Sequence, residues 1–389
     1  MVIIGRYQES VDIMEKEGSL LADRPRAVAA GEILSRGLHL ILAPAGEQFH
    51  RLRRAAHTHL QAKAAESYVP IQMNAARNVI LDILNNPKGH QAAANRYTAS
   101  VILRIIVIQK MLKRFQMLMR PGALLVERYP ILKYVPGYGT ELEQWRREES
   151  QLFHDQLDRV LRELVAKLSL VARYLLENQS SHKLSTKKWL ILLASACYPK
   201  AQEKVQEELD VVISRDRGNE ISTLLQLPPF DDYNSSPQIE AFMLECLRWR
   251  PMTTLGFTHQ YVYPEGAIVF GNHWAISRDP SVYPNPDQFD PQRWLNTDGK
   301  IRDDLKFPSF GFGRRICPGQ HIANRSIFIN AALLLWSFKI TQDPENPIDE
   351  SGFVDGVIVH PKPFAACFEP RFGNEAALRG VMGKYGEGL

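Results

Sequence analysis

Cysteine is scarce in this sequence, and the few cysteines lie far apart. The 389 residues include only four, namely Cys197, Cys246, Cys317 and Cys367. No two of them have the spacing of a metal finger or of a redox pair. The sequence therefore gives no indication of a disulfide scaffold, and it favours a reducing compartment.

Long apolar runs are also lacking. The best candidate for a membrane span, residues 189–198, is about half of the roughly 20 residues that a helix needs to cross a bilayer. It follows two lysines, Lys187 and Lys188, and ends before Pro199. The apolar part of the N-terminus is too short for a signal peptide. The sequence as written predicts a soluble protein.

Neither sign of charge dominates. Lys and Arg total 47, Asp and Glu total 43, and the net charge is +4. A general nucleic-acid-binding protein usually has a larger and clustered basic excess, so we expect no nucleic-acid partner. Hydrophobic residues make up 45% of the chain, which is sufficient for a globular core. Because the chain has no internal repeat and no low-complexity linker, we expect one domain over residues 1–389.

Apolar residues at helical spacing predominate in the first half of the chain. The predicted helices cover residues 8–17, 48–64, 71–84, 100–118, 141–176, 199–212, 239–249 and 320–336. Short strands are predicted at residues 267–270, 338–341, 357–360 and 364–368. Three prolines make residues 281–294 an irregular but ordered loop. The expected fold is mainly α with a small β-rich part.

The segment from Phe310 to Gly319 carries the most specific pattern. An isolated cysteine such as Cys317 is usually a small buried hydrophobic residue, but its neighbours favour a ligand. Gly313 permits a turn that presents the sulfur, and Gly319 lets a flat ligand approach the backbone. The helix predicted after Gly319 places free N–H groups near Cys317, which favours a thiolate. Arg315 offers a forked pair of donors to a carboxylate, and Phe310 shields the sulfur from water.

These residues resemble the haem-binding loop F-x-x-G-x-R-x-C-x-G of the cytochrome P450 superfamily, and all five fixed positions match. The resemblance implies a haem-thiolate domain in which Cys317 is the proximal ligand of haem b iron. It also implies that Phe310, Gly313, Arg315 and Gly319 surround the cofactor. Electron donation by the thiolate favours cleavage of the O–O bond of iron-bound oxygen.

The resemblance extends to an E-x-x-R pair upstream. Glu245 and Arg248 lie three residues apart, opposite the apolar face of the predicted helix 239–249. Two such residues alone would be read as a solvated ion pair. In the family the pair is joined by an arginine from a proline-rich segment, which Arg293 matches. The resemblance implies a structural triad that fixes the cysteine loop beneath the haem.

Two further residues are similar to family residues that bind a haem propionate. Phe49 to Arg53 resemble the family's W-x-x-x-R, with phenylalanine replacing tryptophan, so the indole N–H is lost. Arg53 would then bind a propionate; the alternative is a solvated basic helix, because residues 51–57 carry three further basic side chains. His259 follows the E-x-x-R helix where a propionate-binding residue is often found.

The family's oxygen-activating motif, A/G-G-x-D/E-T, is not found in the sequence. The nearest segment, Gly137 to Thr140, lacks the acid and is predicted to be a loop. The motif should precede Cys197, but residues 179–188 lead directly into Trp189, so most of that helix is expected to be missing. Residues 106–108 and 260–261 also look like shortened joins, and no N-terminal anchor of the fungal membrane-bound type is present. No catalytic residue is assigned.

By this resemblance the chain is a haem-dependent monooxygenase that inserts one oxygen atom into an apolar organic substrate, in secondary metabolism. The implied partners are a flavoprotein reductase and molecular oxygen, and the family's usual place is the cytosolic face of the endoplasmic reticulum. Three alternatives stay open: a haem protein that is impaired or works only with peroxide, a non-functional shortened product, and a nucleic-acid-binding helical protein. Only the basic cluster at residues 51–57 favours the last of these.

Overall fold

The computed structural model describes residues 1–94, 114, 117–119, 122–163, 181–215, 236–261, 266–354, 356, 358–371 and 374–384. Eight helices in this part of the chain have ten residues or more. They are α1 (Glu47–Leu60), α2 (Val69–Asn85), α3 (Thr140–Glu163), α4 (Ser181–Cys197), α5 (Pro199–Arg215), α6 (Pro237–Trp249), α7 (Gln320–Ser337) and α8 (Glu375–Lys384). The prediction of a mainly helical fold is confirmed.

Shorter helical segments connect these elements. The short α-helices are Tyr7–Glu9, Ala62–Glu66, Leu125–Arg128 and His273–Ile276. Two segments, Ser10–Lys16 and Val28–Leu34, have π-helical hydrogen bonds. Single 3₁₀ turns occupy Pro87–Gly89, Pro130–Tyr134, Pro291–Trp294 and Gly313–Arg315.

In the described part of the chain, seven short strands form small sheets. The strands are β1 (Val2–Ile4), β2 (His259–Gln260), β3 (Ile268–Gly271), β4 (Phe338–Gln342), β5 (Phe353–Val354), β6 (His360–Pro361) and β7 (Ala366–Pro370). β3 pairs in parallel with β1 and antiparallel with β2, and Val269 lies opposite both Val2 and His259. β4 pairs antiparallel with β7, and β5 with β6. The three-residue strand β1 was not predicted, because its pairing partner is more than 260 residues away in the sequence.

The largest core lies among α2, α4, α5, α6 and α7. In α7 every residue from Ser326 to Ser337 is buried. Neighbouring helices enclose α7, and its apolar residues occur at every angle around the axis, as expected for a central helix. Inside this core the side-chain N–H of Asn330 donates to the carbonyl oxygen of Ser326, one turn earlier in α7, at 2.7 Å.

The remaining predictions fall into two groups. Residues 281–294 form an ordered series of turns, and Gly137 to Gly139 form a turn that ends where α3 begins. The predicted helix 100–118 lies mostly outside the described residues, as do residues 164–176 of the predicted helix 141–176 and the join at 106–108. Within the described residues, no helix combines the length and apolar character that a membrane crossing requires.

Candidate functional site

The cysteine loop, residues 310–319, turns sharply before α7 begins. Gly311 has a φ of +85° and Gly313 a φ of +48°, a region that side chains disfavour. A Cβ added to Gly313 would lie 2.8 Å from the carbonyl oxygen of Met14, so both backbone conformation and space require glycine there. Gly319 has a φ of −87° and directly precedes the first residue of α7. The loop therefore holds Cys317 close to the N-terminus of a long helix.

Cys317 lines a cavity of about 700 Å³, measured out to its open mouth. Its backbone N–H donates to the carbonyl oxygen of Phe310 at 2.9 Å, and its side chain is partly exposed. Phe310, Leu40 and Phe49 contribute apolar surface to the same cavity. Cys317 and these apolar side chains therefore line one open cavity.

Arg315 and Arg53 both reach this cavity. Arg315 is buried, stacks with its guanidinium carbon 3.6 Å from the ring centroid of Phe49, and donates to the carbonyl oxygen of Ala43 at 2.8 Å. Burial lowers the pKa of Arg315 to about 10. The side chain of Arg315 is thus fixed by aromatic stacking and by main-chain acceptors.

Arg53 leaves its helix and contacts the cysteine loop. Its guanidinium donates to the carbonyl oxygen of Ile316, the residue before Cys317. Burial lowers the pKa of Arg53, and the nearby Cys317 acts in the opposite direction. Arg51 and Arg54 on the same helix are exposed. Arg53 is therefore separated from the solvated basic face of α1.

Arg24 was missed by the sequence analysis. Its side chain lines the cavity, is 7% exposed, and donates to the carbonyl oxygen of Phe257 at 3.3 Å. Burial and, to a smaller extent, the charge of neighbouring Arg315 lower the pKa of Arg24 to about 9. Its Nε is buried and has no hydrogen-bond partner among the described residues. No local pattern marks Arg24, because its position depends on a bridge between Asp23 and Gln260.

His259, on β2, lies beside Arg24 at the cavity. It is buried, and its Nδ1 is 2.9 Å from the carbonyl oxygen of Leu21. Because a carbonyl oxygen only accepts, Nδ1 carries the proton. Burial, together with the charge of Arg24, lowers the pKa of His259 to about 3. The imidazole is therefore neutral at physiological pH.

The three residues of the predicted triad lie together. Arg248 donates to the two carboxylate oxygens of Glu245 at 2.8 and 2.6 Å, and Arg293 donates to the same carboxylate at 3.2 Å. Glu245 and Arg248 are wholly buried, so the solvated ion pair is excluded. The expectation that this side of helix 239–249 lies opposite the buried face was wrong, because all sides of α6 are packed.

The triad holds the proline-rich segment against α6. Arg248 donates to the carbonyl oxygens of Ser277 at 2.9 Å and Pro286 at 2.7 Å. The indole of Trp294 donates to Glu245 at 2.9 Å. Trp294 was not predicted as part of this network, since its role depends on the folding of the segment onto α6. The carboxylate of Glu245 thus joins α6 to residues 290–294 directly.

The segment where the oxygen-activating motif was expected lies at an edge of the described residues. α4 begins at Ser181, and residues 164–180 lie outside the described part of the chain. From Leu190 to Ala194 every residue of α4 is buried in the core. α5 follows α4 after Tyr198, in the order that the resemblance implied.

The residues at the cavity fit a haem. The cavity collects two buried arginines, Arg24 with an unpartnered Nε and Arg315, and the partly buried Arg53, beside a neutral histidine. Burying several cations together is costly unless anions neutralise them. A flat ligand with two carboxylates and a metal that accepts one sulfur ligand matches both the charge of these residues and the position of Cys317.

Comparisons with known proteins point the same way. Residues 183–368 match the family model "Cytochrome P450". Cytochrome P450 monooxygenases 64 and 88 of Postia placenta are 43% and 42% identical to this chain, each alignment covering 98% of this chain and 84% of the relative. A solved zebrafish cytochrome P450 structure, with abiraterone, has a TM-score of 0.71 at 20% identity, covering 95% of this chain and 93% of that one. That structural match shows the fold.

The alignments also bear on the expected internal shortening. The alignment with monooxygenase 64 spans 427 positions, whereas this chain has 389 residues in total. At least 38 positions of the relative therefore lack a counterpart here, in agreement with a shortened domain. The order of motifs, the fold and the relatives together show that this chain belongs to the cytochrome P450 family of monooxygenases, whose members bind haem through a cysteine thiolate.

Proposed function

We propose that the thiolate of Cys317 binds the iron of haem b and that the cofactor occupies the cavity described above. The observation that carries this proposal is the position of Cys317: its side chain lines the cavity, and its N–H is tied to Phe310 in the turn that Gly313 permits. The start of α7 adds N–H groups and a positive dipole nearby, which favour a thiolate. Because Gly319 has no side chain, a flat ligand can approach the backbone just before α7.

Arg24, Arg53, Arg315 and His259 are proposed to bind the two haem carboxylates. Each guanidinium has five N–H donors, so the hydrogen bonds to main-chain carbonyls leave donors for a ligand. Stacking on Phe49 holds the guanidinium of Arg315 in place without using any of its N–H donors. With its Nδ1–H donated to Leu21, the neutral His259 offers Nε2 only as an acceptor, so it would bind a haem carboxyl group only when that group or Nε2 carries a proton.

Glu245, Arg248 and Arg293 are proposed to act structurally. Their shared hydrogen bonds order residues 277–294 around α6, and α6 in turn packs against α7. Because α7 follows directly after the cysteine loop, an ordered α6 supports the position of Cys317. These residues, within one domain over residues 1–389, form the frame of the site.

In the family, bound haem activates molecular oxygen with electrons from a redox partner. We propose that a flavoprotein reductase supplies them and that the substrate is an apolar organic molecule of secondary metabolism. The apolar lining of the cavity by Leu40, Ile41 and Phe257 supports an apolar substrate. The chain's own task is to exclude water and hold the substrate beside the cofactor.

We also propose that the protein works at the cytosolic face of the endoplasmic reticulum membrane. A group of exposed apolar side chains between α2 and α3 supports contact with lipid. This group consists of Leu125, Tyr129, Ile131, Tyr134 and Val135. The adjacent, exposed Arg128 suits an anionic lipid surface.

A second candidate is a haem protein that oxidises its substrate poorly, or only with peroxide. The observation that favours it is the lack of the acid–threonine motif in the sequence. The test is to supply the haem-loaded protein with ¹⁸O₂, reductase and an apolar substrate library, and separately with hydrogen peroxide. One ¹⁸O atom in a product formed with reductase supports monooxygenation, whereas product with peroxide alone supports the second candidate.

A further inference from the structure

Lys187, on α4, places a charged group against the cysteine loop. The residue is 1% exposed, and its Nζ lies 3.5 Å from the ring centroid of Phe310. Burying an ammonium group is costly in an apolar core. An aromatic face offsets part of that cost, because its negative quadrupole attracts a cation. The contact therefore favours the charged form of Lys187 at this point of the core.

Phe310 connects Lys187 to the proposed ligand. The ammonium group of Lys187 lies over the ring of Phe310, and the carbonyl oxygen of Phe310 accepts a hydrogen bond from the N–H of Cys317 at 2.9 Å. Phe310 and Cys317 both line the cavity. The lysine charge thus lies against a residue that lines the proposed haem site. In an interior of low dielectric constant, a nearby charge acts more strongly than it does in water.

The neighbouring lysine provides a contrast within the same helix. Lys188 is equally buried, but burial lowers its pKa well below the ordinary value. The two adjacent lysines have the same side-chain chemistry and burial, and Lys187 is the one whose ammonium group lies over the ring of Phe310.

We propose that the ammonium group of Lys187, acting across the ring of Phe310, favours the reduced state of the haem-thiolate centre and so makes its first reduction easier. This inference rests on the proposed binding of haem by Cys317. Reduction adds one electron, and hence one negative charge, to the centre, and no bond forms or breaks. A nearby cation stabilises the more negative state more strongly. Lys187 is in this sense a positioning residue for electron transfer and does not touch the substrate.

The experiment measures the reduction potential of the haem-loaded protein, using dithionite and redox mediators under anaerobic conditions. Lys187→Met removes the charge and keeps the apolar stem. We expect the ferric–ferrous equilibrium to shift about tenfold towards the ferric form, which is about 59 mV for one electron. Lys187→Arg keeps a cation that stacks on an aromatic ring and should restore the parent value. Lys188→Met is the matched control and should leave the potential near that of the parent.

An unchanged potential in Lys187→Met, or an equal shift in Lys188→Met, would overturn the proposal. If Lys187→Met retains no haem, Lys187→Gln and Lys187→Arg show whether the loss comes from the missing charge or from altered packing. Haem retention in Lys187→Arg but in neither neutral variant supports a role for the charge, and loss in all three contradicts it. A parent protein without a thiolate-type spectrum would instead refute the proposed role of Cys317.

Discussion

Glu245 and Arg248 form a bidentate ion pair, with nitrogen–oxygen distances of 2.6 and 2.8 Å, in which neither side chain has any exposed surface. The carboxylate also accepts hydrogen bonds from Arg293, Trp294 and the N–H of Asp290. Such a network is stable only while all its members are present, because each charge is removed from water.

The first prediction concerns this carboxylate. Replacing Glu245 by Ala leaves Arg248 buried without its anion, and breaking a buried pair in this way typically costs about 3–5 kcal/mol. We expect a large fall in the free energy of unfolding, together with loss of haem incorporation and of soluble protein. Thermal unfolding and the haem-to-protein ratio measure the two effects.

Glu375 provides the control. It pairs with Arg379 on α8, and both side chains are substantially exposed. Glu375→Ala should therefore change stability by no more than about 0.5 kcal/mol. If Glu245→Ala melted like the parent and bound haem, the network would not support the fold as described.

The second prediction concerns Gly313. Alanine there must adopt a φ of +48° and would bring its Cβ to 2.8 Å from a backbone oxygen. The left-handed conformation alone costs about 1–2 kcal/mol, and the clash adds to it, so Gly313→Ala should destabilise the protein and weaken haem retention. Gly380, in α8, has open space around its Cβ position, and Gly380→Ala should stabilise the helix by up to about 1 kcal/mol. Equal melting temperatures for the two variants would contradict this prediction.

The third prediction concerns pH. The pKa of His259 is about 3 in the folded protein and about 6.5 in an unfolded chain. Between these values the unfolded state binds a proton that the folded state does not, so stability falls as pH falls below about 6.5. From pH 6.5 to 5.0 the expected loss in the haem-free protein is about 1.6 kcal/mol, because the full slope of about 1.4 kcal/mol per pH unit applies only well below the unfolded-state pKa.

Urea unfolding at the two pH values checks this. His259→Asn keeps a donor for the carbonyl oxygen of Leu21 but does not titrate in this range, so its stability should depend less on pH by that amount. His50→Asn, at an exposed position of α1, should behave like the parent. Identical pH dependence in the parent and in His259→Asn would show that His259 is not buried as described.

Local patterns predicted much of this fold. The helices α1, α2, α5 and α6 appear within a few residues of their predicted bounds, because apolar spacing in one helix is a local property. The turn at Gly313 was also predictable, since a glycine before a cysteine and a helix limits the conformations available. The contact of Glu245 with Arg248 followed from their spacing on one helix.

Residues whose positions depend on distant parts of the chain were not predictable. Arg24 reaches the cavity through contacts with Phe257 and Thr258, more than 230 residues away. The contact of Lys187 with Phe310 joins two segments 123 positions apart in the sequence. The burial of polar as well as apolar residues in α6 and in residues 326–337 of α7 depends on how many neighbours surround each helix, which the apolar spacing of one helix does not determine.

The fourth prediction concerns coupling. Positioned acid–base groups contribute roughly 10²–10⁴-fold to proton transfer, and this sequence lacks the family's acid–threonine pair. We therefore expect most of the consumed reductant to end in peroxide or superoxide, with little product. Reductant consumed, peroxide released and product formed are measured together with reductase. A form with the missing helix restored should couple normally, and tight coupling in the present chain would show that another residue relays protons.

The central claim, that Cys317 is the haem ligand, is tested most directly by the spectrum of the reduced carbon monoxide complex. Replacing Cys317 by His should abolish the thiolate-type band, because imidazole replaces sulfur at the iron. Cys367→Ala, at an exposed position of β7, and Cys246→Ala, in the core of α6, should retain the band. A normal thiolate-type band in the Cys317→His protein would contradict the account.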